Sequence, residues 1–123
     1  MDKVAEFRQK MDKETKSGLI SLLVLCVIKE TREPMYGYKI IQSIEELSEE
    51  ELKFQEGTVY AILRSLQKQG LLESRIEESP LGPPRKYYQI TKTGKVALDK
   101  GLKDWKDLVQ SSTKVIRKLG GKI

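Results

Sequence analysis

Histidine is absent from this 123-residue chain, and cysteine occurs once, at Cys26. The first absence removes the commonest general base and the commonest metal ligand. With one thiol and no imidazole, a zinc site cannot be assembled from its usual ligands. A single cysteine also excludes a disulfide within the chain, which fits a reducing compartment. Set among Leu and Val, Cys26 reads as a small buried hydrophobe. The chain has no Ser–His or Cys–His pair, no GxSxG and no phosphate-cradling Gly-rich loop before a helix. Neither an enzymatic activity nor a cofactor is expected. The longest apolar stretch, Leu19 to Ile28, falls well short of the ~20 residues that span a bilayer. The opening MDKVAEFRQK lacks the apolar segment of a signal peptide, so a cytoplasmic location is expected.

Charge is plentiful. Charged residues make up 33% of the chain, against about 25% in an average globular protein. The net charge is +5, which favours a polyanionic partner. Its distribution is uneven. Residues 92–123 carry nine Lys/Arg against Asp99, Asp104 and Asp107. Residues 45–56 hold Glu45, Glu46, Glu49, Glu50, Glu51 and Glu56 against Lys53. At this length one domain is expected.

The order of elements follows from periodicity and punctuation. Val4, Phe7 and Met11 form a narrow apolar stripe over 1–17, as on an amphipathic helix. Ser17 is the expected N-cap of a second helix from Gly18 to Glu30, apolar nearly all round. Pro34 bars an early restart. A helix then opens at Tyr36-Gly37-Tyr38, with Ile40, Ile41 and Ile44 inward. A polar connector over 48–55 precedes a helix over 57–69, which Gly70 ends. Residues 71–79 and 85–90 read as two strands joined by a turn at Pro80-Leu81-Gly82-Pro83-Pro84. Thr91 or Thr93 caps a last helix to about Leu119, with Val96, Leu98, Leu102, Trp105, Leu108, Val109 and Ile116 apolar.

The fold class is therefore mostly α with a small β-hairpin, in the order of a winged helix-turn-helix. Residues 18–91 would form the DNA-binding unit, and 92–123 a C-terminal helix whose apolar surplus calls for a second copy. The helix over 57–69 has the two faces that reading a duplex requires. Val59, Ile62, Leu63 and Leu66 lie on one side, and Gly57, Ala61, Arg64 and Lys68 on the other. Small Gly57 and Ala61 permit close approach to a groove. Arg64 can reach guanine O6 and N7, and Lys68 suits phosphate. Backbone N–H groups and the hydroxyl near Gly57-Thr58 suit a phosphate too. Arg85 and Lys86 on the wing would lie along the phosphates or in a minor groove. They could equally serve only to keep an edge strand soluble.

Three stretches carry a family resemblance: MYGYKI (35–40), EGTVYAILRSLQKQGLLES (56–74) and ESPLGPPRKYYQITKTG (78–94). They resemble the signature of the PadR family of transcriptional regulators, over about residues 18–110. The resemblance implies a repressor that binds a palindromic operator in double-stranded DNA as a homodimer. It implies that helix 57–69 enters the major groove and that Gly82 to Lys86 form the wing. Tyr36, Tyr38 and Tyr60 would lie near the DNA backbone. The helix over 92–119 would pair two copies, together with the N-terminal helix, as in the short subgroup with a single C-terminal helix. Ala61 and Ser65 depart from the family pattern, which commonly has Arg at the second position.

Trp105 has two readings: an interface anchor, or, as the resemblance implies, a platform between copies for a small planar aromatic ligand that relieves repression. Leu102, Leu108, Val109 and Phe7 share that expected surface. The alternative function is a protein-interaction module on a winged-helix scaffold, because the acidic run 45–56 would repel phosphate.

Overall fold

The computed structural model describes residues 2–123, which form four helices and a three-stranded antiparallel sheet. Helix α1 runs unbroken over Lys3–Glu30. Its cap is Asp2, whose carboxylate accepts the Ala5 N–H at 2.7 Å. Ser17 is therefore not a cap, and the two helices expected on either side of it are one. Helix nucleation is the costly step, so an existing helix propagates without a new cap. Gly18 costs that helix about 1 kcal/mol relative to Ala, too little to break it. The division survives only in burial. Ile20, Val24, Leu25 and Ile28 are buried, whereas Val4, Phe7 and Met11 are exposed.

After Pro34, Met35–Tyr36 form β1, a strand too short to leave a period in the sequence. Helix α2 follows at once, over Gly37–Leu47, with Ile40, Ile41 and Ile44 inward as their spacing predicts. Gly37 leaves no room for a Cβ, because the Tyr60 ring lies against it. The connector turns through Glu49 (φ 55°) and Glu50 (φ 67°), both left-handed. Ser48 steadies it: its Oγ donates to the Glu45 carbonyl and accepts the Leu52 N–H at 3.0 Å.

Helix α3 covers Glu56–Lys68. Gly70 (φ 78°) closes it: its N–H donates to the Gln67 carbonyl, and the Leu71 N–H to Leu66. Glycine is the residue that adopts this left-handed C′ position without strain.

Strands β2 (Leu72–Ser79) and β3 (Gly82–Ile90) pair antiparallel, and β3 also pairs with β1, so the sheet order is β1-β3-β2. The expected hairpin is thus the larger part of a three-stranded sheet. Its turn is also tighter than expected. Only Pro80 and Leu81 lie between the strands, and Gly82-Pro83-Pro84 belong to β3. The prolines are tolerated because β1 reaches only Tyr87 and Tyr88, which leaves that stretch of β3 unpaired on one side.

Helix α4 spans Lys92–Lys118. Thr91 caps it by accepting the Gly94 N–H at 3.0 Å, and its hydroxyl donates to the Gly70 carbonyl at 2.7 Å. Gly94 lies so close to the Leu71 carbonyl that a Cβ would collide with backbone. The start of α4 is thereby locked onto the end of α3. Lys29 and Asp99 pair at 3.4 Å between α1 and α4.

One core holds these elements: the buried α1 and α2 residues named above with Val59, Leu63 and Leu66 of α3, joined by Met35, Leu72, Tyr88 and Leu98. No buried polar side chain among the described residues lacks a hydrogen-bond partner. No helix among them is long and apolar enough to cross a membrane.

Candidate nucleic-acid interface

Helix α3 packs Val59, Leu63 and Leu66 inward, and this orients the rest of its surface. Gly57, Thr58, Ala61, Arg64, Ser65 and Lys68 are exposed, and Tyr60 is half-buried. A Cβ at Gly57 would meet nothing, and its φ is not left-handed, so the fold itself does not require a glycine there. Arg64 and Lys68 form no ion pair among the described residues. Gln55 caps α3 without a side-chain bond, and the Thr58 N–H is already taken by the Gln55 carbonyl.

The sheet register sorts the wing. Successive strand residues face opposite sides. Pairing places Ser74 opposite Tyr88 and Ile76 opposite Lys86, in line with buried Leu72. This is the face toward the helices: the Ser74 hydroxyl donates to Gln67 of α3 at 2.9 Å. Arg64 bears on Tyr88, while Lys86 Nζ lies 5.7 Å from the centre of the Tyr88 ring. Burial pushes the Tyr88 hydroxyl above its ordinary value, Arg64 pulls it down and Tyr60 pushes it up. Burial, with help from Glu56, raises Tyr60. Both phenols thus stay protonated donors at neutral pH.

Arg85 lies on the other face. It pairs with Glu77 in register, and its guanidinium sits 4.4 Å over the Tyr36 ring. Tyr36 meets Tyr87 edge to face, with ring centres 5.6 Å apart. Arg75 on that face is ion-paired with Glu77 at 2.7 Å. The two adjacent wing cations are therefore separated: Lys86 shares a side with α3, and Arg85 joins an aromatic cluster on the sheet's outer face. Tyr87 and Arg75 complete that cluster. Neither was singled out from sequence, because strand register is needed to bring them to Tyr36.

Tyr38 is placed elsewhere again. It lines a groove of about 250 Å³ with Glu45, Glu46, Glu50, Phe54 and Glu56. The tyrosines grouped by resemblance thus occupy three settings: Tyr36 under Arg85, Tyr38 among carboxylates, and Tyr60 between Gly37 and Tyr88.

The remaining expected surface is on α4 and the front of α1. Leu98 is buried, but Leu102, Leu108 and Val109 beyond it are exposed, as is Phe7 on α1. Trp105 is 44% exposed on the same helix. Among the described residues no group of His, Cys, Asp and Glu is gathered that could hold a metal ion.

Comparison with known proteins agrees with this arrangement. The model of the transcriptional regulator PadR-like family matches residues 24–100. An uncharacterized protein of Lysinibacillus sphaericus is 31% identical over 90 residues, covering 73% of this chain and 80% of that one. Among solved structures, a PadR family transcriptional regulator of Eggerthella lenta superposes with a TM-score of 0.74 at 29% identity, covering 92% of this chain and 95% of that one. A PadR-like transcription factor of Bacteroides fragilis gives a TM-score of 0.68 at 30% identity, covering 86% and 98%.

Proposed function

This chain belongs to the PadR-like family of transcriptional regulators, and from that premise we propose that it is a homodimeric repressor which lays α3 of each copy into the major groove of a palindromic operator. Membership favours DNA-binding regulation over the interaction-module reading and over enzymatic chemistry. The observation that carries the finer proposal is the exposed face of α3. Gly57, Ala61, Arg64 and Lys68 lie there together, small toward one end and cationic toward the other. Residues 18–91 serve as the DNA-binding unit and 92–123 as the pairing helix. Its place of action is the cytoplasm.

The roles follow from chemistry. Arg64 reads a base edge, with guanine O6 and N7 its best partners. Lys68, Thr58 and the phenols of Tyr36 and Tyr60 contact the phosphate backbone, which positions the protein without carrying sequence information; Tyr38, set among Glu45, Glu46, Glu50 and Glu56, is left out of this contact set. Lys86, on the α3 side of the wing, supplies charge to the same duplex. Arg85 lies outward and contributes through the flank. Trp105, Leu102, Leu108, Val109 and Phe7 form the surface that the second copy covers. Relief of repression by a planar aromatic ligand would place that ligand against Trp105 between the copies, where quenching of its fluorescence reports binding.

The test is fluorescence anisotropy on two labelled duplexes, the region upstream of the chain's own gene and a scrambled control, at ~0.15 M salt. A preference of roughly 10³-fold or more is expected. Arg64→Ala should weaken specific binding by about 1–3 kcal/mol. Equal, weak and salt-sensitive binding to both duplexes, unchanged by Arg64→Ala, would exclude autoregulation through this helix face.

A further inference from the structure

Of the buried core residues, Tyr88 alone carries a hydroxyl; the rest are aliphatic, apart from the thioether of Met35. Tyr88 is 4% exposed. Its hydroxyl makes no hydrogen bond among the described residues. No fully buried polar atom among them lacks a partner, so this oxygen lies in the small part of Tyr88 that remains open. A tyrosine set this deep ordinarily finds a partner for its hydroxyl. A phenylalanine would fill the core without needing one. The surroundings fix where the oxygen opens. Tyr88 faces α3, because its cross-strand partner Ser74 is bonded to Gln67, three residues beyond Arg64. Tyr60, four residues before Arg64, has its ring pressed on Gly37, where no Cβ would fit. Residues three and four apart share one strip of a helix, so Tyr60, Arg64 and Gln67 line the flank of α3 that β3 faces. Lys86 bounds the other side, 5.7 Å from the centre of the Tyr88 ring. Arg64 and Tyr60 are also the groups that act electrostatically on the Tyr88 hydroxyl.

We propose that Tyr88 is a positioning residue for Arg64: its hydroxyl, opening from the core between α3 and the wing, accepts a guanidinium hydrogen and holds the fork ready for a base edge. This role rests on the DNA reading above, in which Arg64 contacts guanine. An arginine offers five N–H donors, and guanine O6 and N7 use two of them. A further one is therefore free for the phenol oxygen. The phenol is fixed by the core, whereas Arg64 is exposed on a long stem and makes no ion pair among the described residues. Anchoring one to the other removes disorder before the duplex arrives, so less is lost on docking. A carboxylate in the same place would neutralise Arg64 and repel phosphate. A neutral phenol orients the guanidinium and leaves its charge whole. Sequence discrimination therefore depends on the hydroxyl, and long-range attraction for the phosphate backbone does not.

The test compares the full-length protein with Tyr88→Phe, whose ring fills the same space. The duplexes are one that the parent protein selects from a random pool and a scrambled control. Affinity of Tyr88→Phe for the selected duplex should fall roughly two- to tenfold, the gain from fixing one long side chain in advance. Affinity for the scrambled duplex and the salt slope should stay as they are. With Arg64→Ala already present, Tyr88→Phe should cost nothing further. No loss on the selected duplex, an equal loss on both duplexes, or an undiminished loss in the Arg64→Ala background would each overturn the positioning role. The contact itself is read without DNA, from solvent exchange of the Arg64 guanidinium N–H protons by NMR. Tyr88→Phe should speed that exchange several-fold, and an unchanged rate would overturn the contact. A parent protein that selects no duplex would refute the DNA reading and the positioning role with it, while the exchange rates would still decide the contact.

Discussion

Helix α1 is a single continuous element with two environments, and α4 repeats the contrast. From Ile20 to Ile28, α1 is the centre of the core, and Gly94 and Leu98 anchor the first turns of α4 against it. Beyond those points the same helices carry apolar side chains with nothing to cover them: Val4, Phe7 and Met11 on one, Leu102 through Leu119 on the other. The winged-helix body is complete in one chain. In the proposed dimer a second copy finishes the two helix ends, because apolar stripes of this length are rarely left in water. Backbone continuity therefore conceals a boundary that burial reveals.

The largest effect that separates the two regions is in the body. Leu63 is fully buried, so Leu63→Ala should cost about 2–5 kcal/mol of stability, measured by urea unfolding. Leu108 is mostly exposed in the single chain, so Leu108→Ala should leave the isolated fold within about 0.5 kcal/mol. Its cost should appear as weaker self-association in sedimentation equilibrium and as a concentration-dependent unfolding midpoint. A concentration-independent loss from Leu108→Ala would erase the distinction drawn between body and ends.

A smaller effect divides the wing. Lys86 and Arg85 are neighbours in sequence but face opposite sides of the sheet, and only Lys86 shares a side with Arg64. Lys86→Ala should weaken binding to all duplexes and lower the salt slope by about one unit. Arg85→Ala should change that slope less, because its guanidinium is held over Tyr36. Equal changes in slope would show that the wing turns both cations to the duplex on docking.

Much of this division is legible in the chain. The isoleucines of α2 and the alternate faces of α3 appear as plain spacing, and Gly70 marks the end of α3. Other features could not be read because they depend on partners distant in sequence. Strand β1 is only two residues long and exists because β3 runs beside it. Tyr38 resembles Tyr36 in its motif, yet α2 turns it toward Glu45 and Glu50. Lys13 and Lys16 join Lys53 around one groove only because α1 continues through Ser17, where capping rules favour a break.

The smallest effect lies inside the body, where the connector between α2 and α3 holds two consecutive left-handed glutamates. Left-handed backbone costs an L-residue with a Cβ roughly 1–2 kcal/mol, and glycine avoids most of it. Part of that gain is returned, because glycine frees the unfolded chain as well. Glu49→Gly should therefore raise stability by about 0.5–1 kcal/mol, seen as a higher urea midpoint with an unchanged slope. It also removes one negative charge from the acidic connector that precedes α3, so DNA affinity should rise slightly at low salt and the gain should fade as salt screens it. A lower midpoint would mean that Glu49 makes a contact in the folded protein worth more than its strain. The complete half of the molecule would then owe part of its stability to the residue its backbone geometry disfavours.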